Sequence, residues 1–430
     1  MDIRISLPVL LFATAVSLAS GLAAGLVPAI LAGRRDPVDG IKGYKHDAKI
    51  RHRPGDALVV AQLALTVVLL SGAGLLGHSF WRLVTVDPGY RSKDVVSVRM
   101  WLPKLRYPTG TSRSVYVARA LERFRAIPGV IGAAVSTSAP DFAGELSFNV
   151  ANPTHPGVHE LTVITESSLD FLDVLGIPLK RGRWAKSVGS AVISEAGARL
   201  YFPGEDPLGK VLTDEGRRDL TIVGVAGDTR QMGLNQDPPP QLYLPLGPDP
   251  TYYPNFVVRT SGPATAMVAP LRQSLEELDP GTPVYDIAPV SAMIAKSLAT
   301  QRSYAVALGV FAFAALALAA IGIYGLVATS VARRTREIGI RIALGAEREN
   351  VMGLVLRRGV MLAGLGLVIG LGGSVLGTRA LKSMLFQVGA GDPLVLGAVT
   401  VALFSATLAA TYFPARRAAS VDPLVALRTD

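Results

Sequence analysis

The sequence predicts an α-helical membrane protein with about five transmembrane helices and an α+β extracytoplasmic domain inserted between the second and third. Three observations predict it. Half of the 430 residues are hydrophobic and only 18% are charged, less charge than soluble domains of this size carry. Five apolar segments reach the length of about 20 residues that a bilayer requires: Ile5 to Ala32, Ala57 to Trp81, Tyr304 to Ala332, Val360 to Thr378 and Leu394 to Phe413. Between the second and third lies a long mixed stretch, 82 to 302, with the Pro, Gly and alternating patches of a folded aqueous domain. The sequence contains no cysteine, which excludes disulfides, thiolate metal sites and a cysteine nucleophile.

Basic residues orient these spans. Arg34, Arg35, Lys42, Lys45, Lys49, Arg51 and Arg53 lie between the first two segments. Arg333, Arg334, Arg336, Arg341, Arg348, Arg357 and Arg358 lie between the third and fourth, and Arg416, Arg417 and Arg428 follow the fifth. Short loops rich in Lys and Arg stay cytoplasmic. The three clusters therefore belong inside, the C-terminus with them, and 82 to 302 belongs outside. The clusters abut membrane spans, so the net charge of +10 reads as topology and lipid contact rather than nucleic-acid binding. A signal peptide at the N-terminus would export the Arg34 to Arg53 cluster and reverse every later loop, so the first segment reads as a retained span.

Local patterning predicts the elements in chain order. Asp56 is placed to cap the second helix, with Trp81 and Arg82 at its outer interface. "DVVSVRM" alternates as a strand, "SRSVYVARALERFRAIPGV" has helical spacing, and "IGAAVSTSAP" and "LTVITES" read as strands. "SLDFLDVLGIPLKRGRW" is a short helix stopped by Gly176 and Pro178, and "SAVISEAGARLYFPGEDPLGKVL" is strand, helix and turn. "LTIVGVAGDTRQ", "QLYLPL" and "NFVVRTS" are strands and "MVAPLRQSLEELD" a helix. The lack of a regular βαβ rhythm points to α+β. A helix within "PVYDIAPVSAMIAKSLATQRSYAVALGVFAF" runs almost without a break into the third span. In the fourth span Gly366, Gly370 and Ser374 recur every four residues, beside Gly373 and Gly377, a pattern that lets helices pack closely in lipid.

Three stretches imitate chemistry. "GEDPLGKV" places Gly204, Gly209 and Lys210 as in a phosphate loop, but Val211 replaces the magnesium-binding hydroxyl and Pro207 removes an amide. "GAGLLG" at 72 to 77 lies inside a membrane span, not between a strand and a helix. "THPGVHE" gathers His155, His159 and Glu160, yet Pro156 and Gly157 break the helical spacing of a zinc site. The expectation is no catalytic, cofactor or metal site.

The most specific stretch is "VARRTREIGIRIALGAERENVMGLVLRRG". Read as a helix, it repeats Arg334, Arg341 and Arg348 every seven residues on one side, with Ile338, Ile342 and Ala346 on another. Glu337 can pair with Arg341 at i, i+4. A basic helix lying on anionic headgroups would share this composition. "RRTREIGIRIALGA" also resembles the cytoplasmic loop signature of MacB-like and FtsX-like ABC-transporter permeases. "LDVLGIPLKRGRW", "AVISEAGARLYFPGEDPLGK", "IVGVAGDTRQMGL" followed by "QLYLPL", and "PARRAASVDPLVALR" are similar to successive motifs of that family.

The resemblance implies a FtsX-like permease domain over 303 to 430 and a MacB-like extracytoplasmic domain over 82 to 302. A helix at 57 to 81 precedes that domain, and 1 to 56 holds the extra span and a basic linker. It implies a coupling loop, 331 to 358, carrying Arg334, Arg336, Glu337, Ile338, Arg341, Leu344, Gly345 and Arg348 and docking on a separate ABC ATPase subunit. ATP and magnesium would be bound by that partner, not by this chain. A second permease unit, an extracytoplasmic adaptor and the bilayer complete the implied partners, with no nucleic acid. The implied function is efflux or mechanical work outside the membrane. The alternative is a non-transporting scaffold that regulates a partner such as a cell-wall hydrolase.

The first span carries a repeat. "PAILAGRRDPVDGIK" at 28 to 42 aligns without a gap on "PARRAASVDPLVALR" at 414 to 428, pairing Pro28 with Pro414, Asp36 with Asp422 and Pro37 with Pro423. The register extends upstream through Thr14 and Thr400. The first span therefore resembles the last helix of a preceding permease unit, as in tandem MacB-like permeases, with the second unit making up the rest.

Overall fold

The computed structural model describes residues 54–138, 147–155, 157–214, 218–333, 340, 348–381, 385–389 and 391–419, with 14 and 15. The chain divides into two compact units, Met1–Pro54 and Gly55–Asp430. The expected first span and the upstream copy of the repeat lie outside the described residues, apart from 14 and 15. The architecture described is that of the second unit.

Among the described residues four helices are long and apolar enough to cross a membrane: α1 (Pro54–Thr85), α7 (Ala299–Arg333), α8 (Arg348–Leu381) and α9 (Pro393–Ala419). All outrun the apolar segments read from the sequence. At 1.5 Å per residue the 32 residues of α1 make about 48 Å, well beyond a hydrocarbon core of ~30 Å. Asp56 consequently lies inside the first turn of α1 rather than at its cap, where an acid still favours the positive end of the helix dipole. The helix α9 continues through Pro414, which forfeits one backbone hydrogen bond, to a last turn where Arg416 and Arg417 complement the dipole.

Inward faces repeat at helical spacing. Val59, Leu63, Val67 and Leu75 of α1 are buried, as are Ala319, Ile323 and Val327 of α7 and Val395, Val399 and Leu403 of α9. The opposite face of α7 exposes Val310, Phe313, Leu318 and Ile321. Without lipid or a partner that face would stand in water.

Between α1 and α7 the chain builds an eleven-stranded sheet. The first lobe holds β1 (Val95–Met100), α2 (Gly110–Ala126), β2 (Val130–Ser136), β10 (Asn255–Thr260), α5 (Val268–Leu278) and β11 (Val284–Pro289). Its strands lie in the order β11-β1-β10-β2, all antiparallel, a split β-α-β arrangement. Thr109 caps α2 with a reciprocal capping box to Ser112. Phe124 of α2 meets Phe256 of β10 edge-on at 5.4 Å, and both are fully buried. Each such ring contributes about 1.5–3 kcal/mol by burial.

A second lobe is inserted between β2 and β10: β3 (Ser147–Ala151), β4 (His159–Ser167), α3 (Phe171–Leu175), β5 (Leu179–Gly182), β6 (Ser190–Ser194), α4 (Glu195–Tyr201), β7 (Val211–Thr213), β8 (Asp219–Ala226) and β9 (Gln241–Pro245). It joins the first through the single pair Ser136 and Ser167. The joint is sealed by a shared core in which Phe171, Leu172 and Leu175 pack with Val95, Ala134 and Val257 from one lobe and Val192 and Tyr243 from the other. Gly176 ends α3 in the left-handed conformation. Gly89, at φ 80°, lets the chain leaving α1 pass the backbone of Asp228, where a Cβ would collide with the carbonyl oxygen.

Candidate functional site

The sequence-predicted residues fall into two groups. Of the coupling loop, Arg334, Arg336, Glu337, Ile338, Arg341, Leu344 and Gly345 lie outside the described residues. Arg348 opens α8, so the last eleven positions of the expected loop already belong to a helix that continues into the membrane. Arg333 ends α7. The segment 334–347 is therefore flanked in the chain by two long helices.

The helix ends are tied together. Arg358 of α8 donates from one nitrogen to both carboxylate oxygens of Asp56 in α1, at 2.9 and 3.0 Å, and from another to the Ser330 hydroxyl of α7 at 2.8 Å. The two charged side chains are largely withdrawn from solvent, 28% and 20% exposed. A charge-assisted, multidentate contact of this kind fixes orientation as well as distance. Read from the sequence, Arg358 marks only the cytoplasmic side and Asp56 only a helix start. Their pairing needs the fold, because 302 residues separate them.

The second group lies along α8. A Cβ added at Gly366 would sit 2.5 Å from Leu63 Cβ, and one at Gly370 2.5 Å from Val67 Cβ and 2.7 Å from the Ala64 carbonyl oxygen. At Gly373 and Gly377 the nearest atoms are methyls of Val68, at 3.1 and 3.8 Å. Ser374 is buried and its hydroxyl donates to the Leu371 carbonyl of its own helix. Three further glycines make such approaches: Gly359 meets Thr411 of α9, Gly322 of α7 meets Gln62 of α1, and Gly74 of α1 meets Val395 of α9. Thr66 adds a hydroxyl bond from α1 to the Ala315 carbonyl of α7 at 3.3 Å. Single glycines in a span give no period, which is why the four-residue pattern of α8 alone signals a contact.

At the outer end, β11 passes at Pro289 straight into α6 (Val290–Ser297), and α6 into α7 across Leu298. Leu298 keeps a right-handed helical conformation; its amide donates to the Ile294 carbonyl and its carbonyl accepts from Arg302. Val290 and Ile294 are meanwhile packed into the core shared by the two lobes. Two helices joined at a single turn residue thus lead from the sheet to Arg333.

Two of the stretches that imitate chemistry lie in the second lobe. Within "GEDPLGKV" Lys210 pairs with Glu205, while Asp206 accepts from Arg181 of β5 at 2.6 Å. His159 and Glu160 begin β4, and the described residues hold no group of three metal-ligating side chains.

Residues 57–278 match the MacB-like periplasmic core domain and residues 309–423 the FtsX-like permease C-terminal domain. The pyoverdine export ATP-binding/permease protein PvdT of Pseudomonas syringae pv. tomato is 26% identical over 395 residues, 86% of this chain and 56% of that protein. PvdT of Pseudomonas putida is 27% identical over 57% of this chain and 39% of its own length. The macrolide export ATP-binding/permease protein MacB of Azoarcus sp. is 28% identical over 56% of this chain and 37% of its own. The chain spans about half the length of these relatives or less. Among solved structures, the periplasmic region of MacB from Actinobacillus actinomycetemcomitans is 16% identical over 51% of this chain and 98% of its own, with a TM-score of 0.34.

Proposed function

The chain belongs to the family of MacB-like, FtsX-like ABC-transporter permeases, and on that premise we propose that it couples ATP hydrolysis by a separate ABC ATPase subunit to movement of its extracytoplasmic domain. The observation that carries this reading is the helical path from β11 through α6 and α7, anchored in the sheet at Val290 and ending at Arg333 beside the basic segment 334–347. A displacement at the cytoplasmic end reaches the sheet with no flexible linker to absorb it. Coupling also needs two arrangements that nucleotide biases differently. The Arg358, Asp56 and Ser330 contact keeps α1, α7 and α8 in step at the end where the ATPase would push.

On this reading Arg334, Arg336, Glu337, Ile338, Arg341, Leu344, Gly345 and Arg348 form the docking segment, ATP and magnesium are held by the partner, and the C-terminus is cytoplasmic. The exposed apolar face of α7 faces lipid or a second permease unit. The work is efflux, as the names of PvdT and MacB suggest, or mechanical action on an extracytoplasmic adaptor. The test is capture of the full chain with its ATPase and measurement of ATP turnover. Glu337→Ala and Arg341→Ala are expected to lose association and stimulation together. Unchanged turnover in both variants would sink the coupling assignment and favour a non-transporting scaffold.

A further inference from the structure

Besides the covalent connections through α1 and α7, a noncovalent link joins the bundle to the extracytoplasmic domain beside the α6–α7 junction. The loop between α8 and α9 inserts one ring, Phe386, into a buried apolar cluster with Leu83 of α1, Leu234 from the loop between β8 and β9, and Leu298 at the α6–α7 junction. Phe386 is 7% exposed, at the tip of a short loop where such a ring would otherwise face water or headgroups. His78 of α1 lies 3.1 Å from the Asp392 carboxylate just before α9, and three further polar contacts hold the segment in place. The Phe386 amide donates to the Ser79 hydroxyl at 2.8 Å, Arg82 donates to the Gln387 carbonyl, and the Arg230 guanidinium lies 5.6 Å from the centre of the Phe386 ring. Gln387 takes a positive φ of 51°, the left-handed region that non-glycine residues seldom adopt without a compensating contact.

Arg230 and Leu234 belong to the extracytoplasmic domain, yet reach the membrane face. Arg230 is fixed at both ends, its amide donating to the Pro88 carbonyl at 2.9 Å and its guanidinium to the Gln236 carbonyl. Beside the ring lies a cavity of about 170 Å³, walled partly by Ser79, Asn235, Thr300, Gln301 and Tyr304. The Gln301 side-chain oxygen is buried there without a hydrogen-bond partner among the described residues. The remaining wall is apolar, from Leu76, Phe80, Leu83 and Leu385, and the void leaves one flank of the ring without packing atoms. A close-packed core resists rearrangement, whereas a ring seated beside a void has room to leave its seat.

We propose that residues 385–389, between α8 and α9, form a releasable latch between the transmembrane bundle and the extracytoplasmic domain, with Phe386 as its tongue and Arg230 and Leu234 as its catch. Engaged, it holds the outer ends of α8 and α9 to the domain that α7 moves. Released, it frees the outer ends of α8 and α9 from the domain, which stays joined to α1 and to the α6–α7 helices. Its use in transport rests on the proposed coupling to an ATPase; its existence as a joint does not.

The test therefore uses the full chain in lipid nanodiscs with no ATPase present. The sequence has no cysteine, so spin labels at Leu105→Cys in the first lobe and Leu394→Cys in α9 report a single distance distribution. Phe386→Ala and Arg230→Gln are expected to broaden it roughly twofold, as expected when a local closure is lost; Arg230→Gln, which leaves the apolar cluster whole, is expected to keep the wild-type melting temperature, and Phe386→Ala to lower it. Arg230→Lys and Phe386→Tyr, which keep a cation over an aromatic face, are expected to restore the narrow distribution. Wild-type width in both Phe386→Ala and Arg230→Gln overturns the latch, and so does an Arg230→Lys distribution as broad as that of Arg230→Gln. If Phe386→Ala does not fold, Phe386→Leu takes its place. Broadening in a chain whose ATPase stimulation proves insensitive to Glu337→Ala and Arg341→Ala leaves the latch standing and removes only its proposed use.

Discussion

Gly370 faces α1 across a gap too small for any side chain. Its added Cβ would meet Val67 Cβ at 2.5 Å and a backbone oxygen at 2.7 Å, and the backbone cannot rotate aside as a side-chain tip could. Overpacking of this sort costs about 1–3 kcal/mol. Gly370→Val is expected to lower the melting temperature of the purified chain, while Gly364→Ala on the same helix, with no atom within 4 Å of the new methyl, is expected to leave it unchanged. Equal melting of the two variants would mean that the close approach carries no stability. This much was legible in the sequence, because small residues at a fixed period are a signal. Ser374 is a subtler case. Its hydroxyl is satisfied within its own helix, so its service to the contact is its size rather than a hydrogen bond across helices.

At the scale of elements, the junction of α6 and α7 converts a fold into a device. Pro289 starts α6, Leu298 carries the helix across a residue that could have bent it, and the next turn enters the third span. Two glycines inserted after Leu298 would cost about 1 kcal/mol each in helix propensity. They would also break the helical path. The expected outcome is a folded chain that still binds its ATPase but shows no nucleotide-dependent change in the distance between labels on the domain and the bundle; an unaltered change would show that force travels elsewhere. The sequence made this continuity visible, since apolar positions run on at helical spacing through the boundary. It did not show β3, whose SFNVA carries only half an apolar face, nor β11, whose proline and aspartate obscure the alternation. Those strands exist because neighbours pair with them, β3 along β4 and β11 along β1. Pairing is a tertiary fact that local propensity does not encode. The same holds for Asp56 with Arg358 and for Arg230 with Phe386, where each member reads alone as an ordinary surface charge or loop aromatic.

For the whole molecule the decisive quantity is the side on which each charge cluster lies. Inverting the chain would place Arg333, Arg357 and Arg358, with the basic segment between them, on the outer face, against the bias that keeps short Lys- and Arg-rich loops inside. It would also put a sheet domain with a MacB-like periplasmic core into the cytoplasm. Two single-cysteine chains separate the orientations cleanly, because the parent sequence contributes no thiol of its own. Leu105→Cys sits on a fully exposed turn of the first lobe, and Glu349→Cys on the exposed first turn of α8. In cells whose inner membrane is intact, a membrane-impermeant maleimide is expected to label Leu105→Cys and to reach Glu349→Cys only after permeabilisation. The reverse pattern would invert the topology, move segment 334–347 away from any cytoplasmic ATPase, and so remove the coupling mechanism along with it. Labelling of both sites before permeabilisation would require α7 and α8 to form a hairpin that does not cross, which their length and apolar composition oppose.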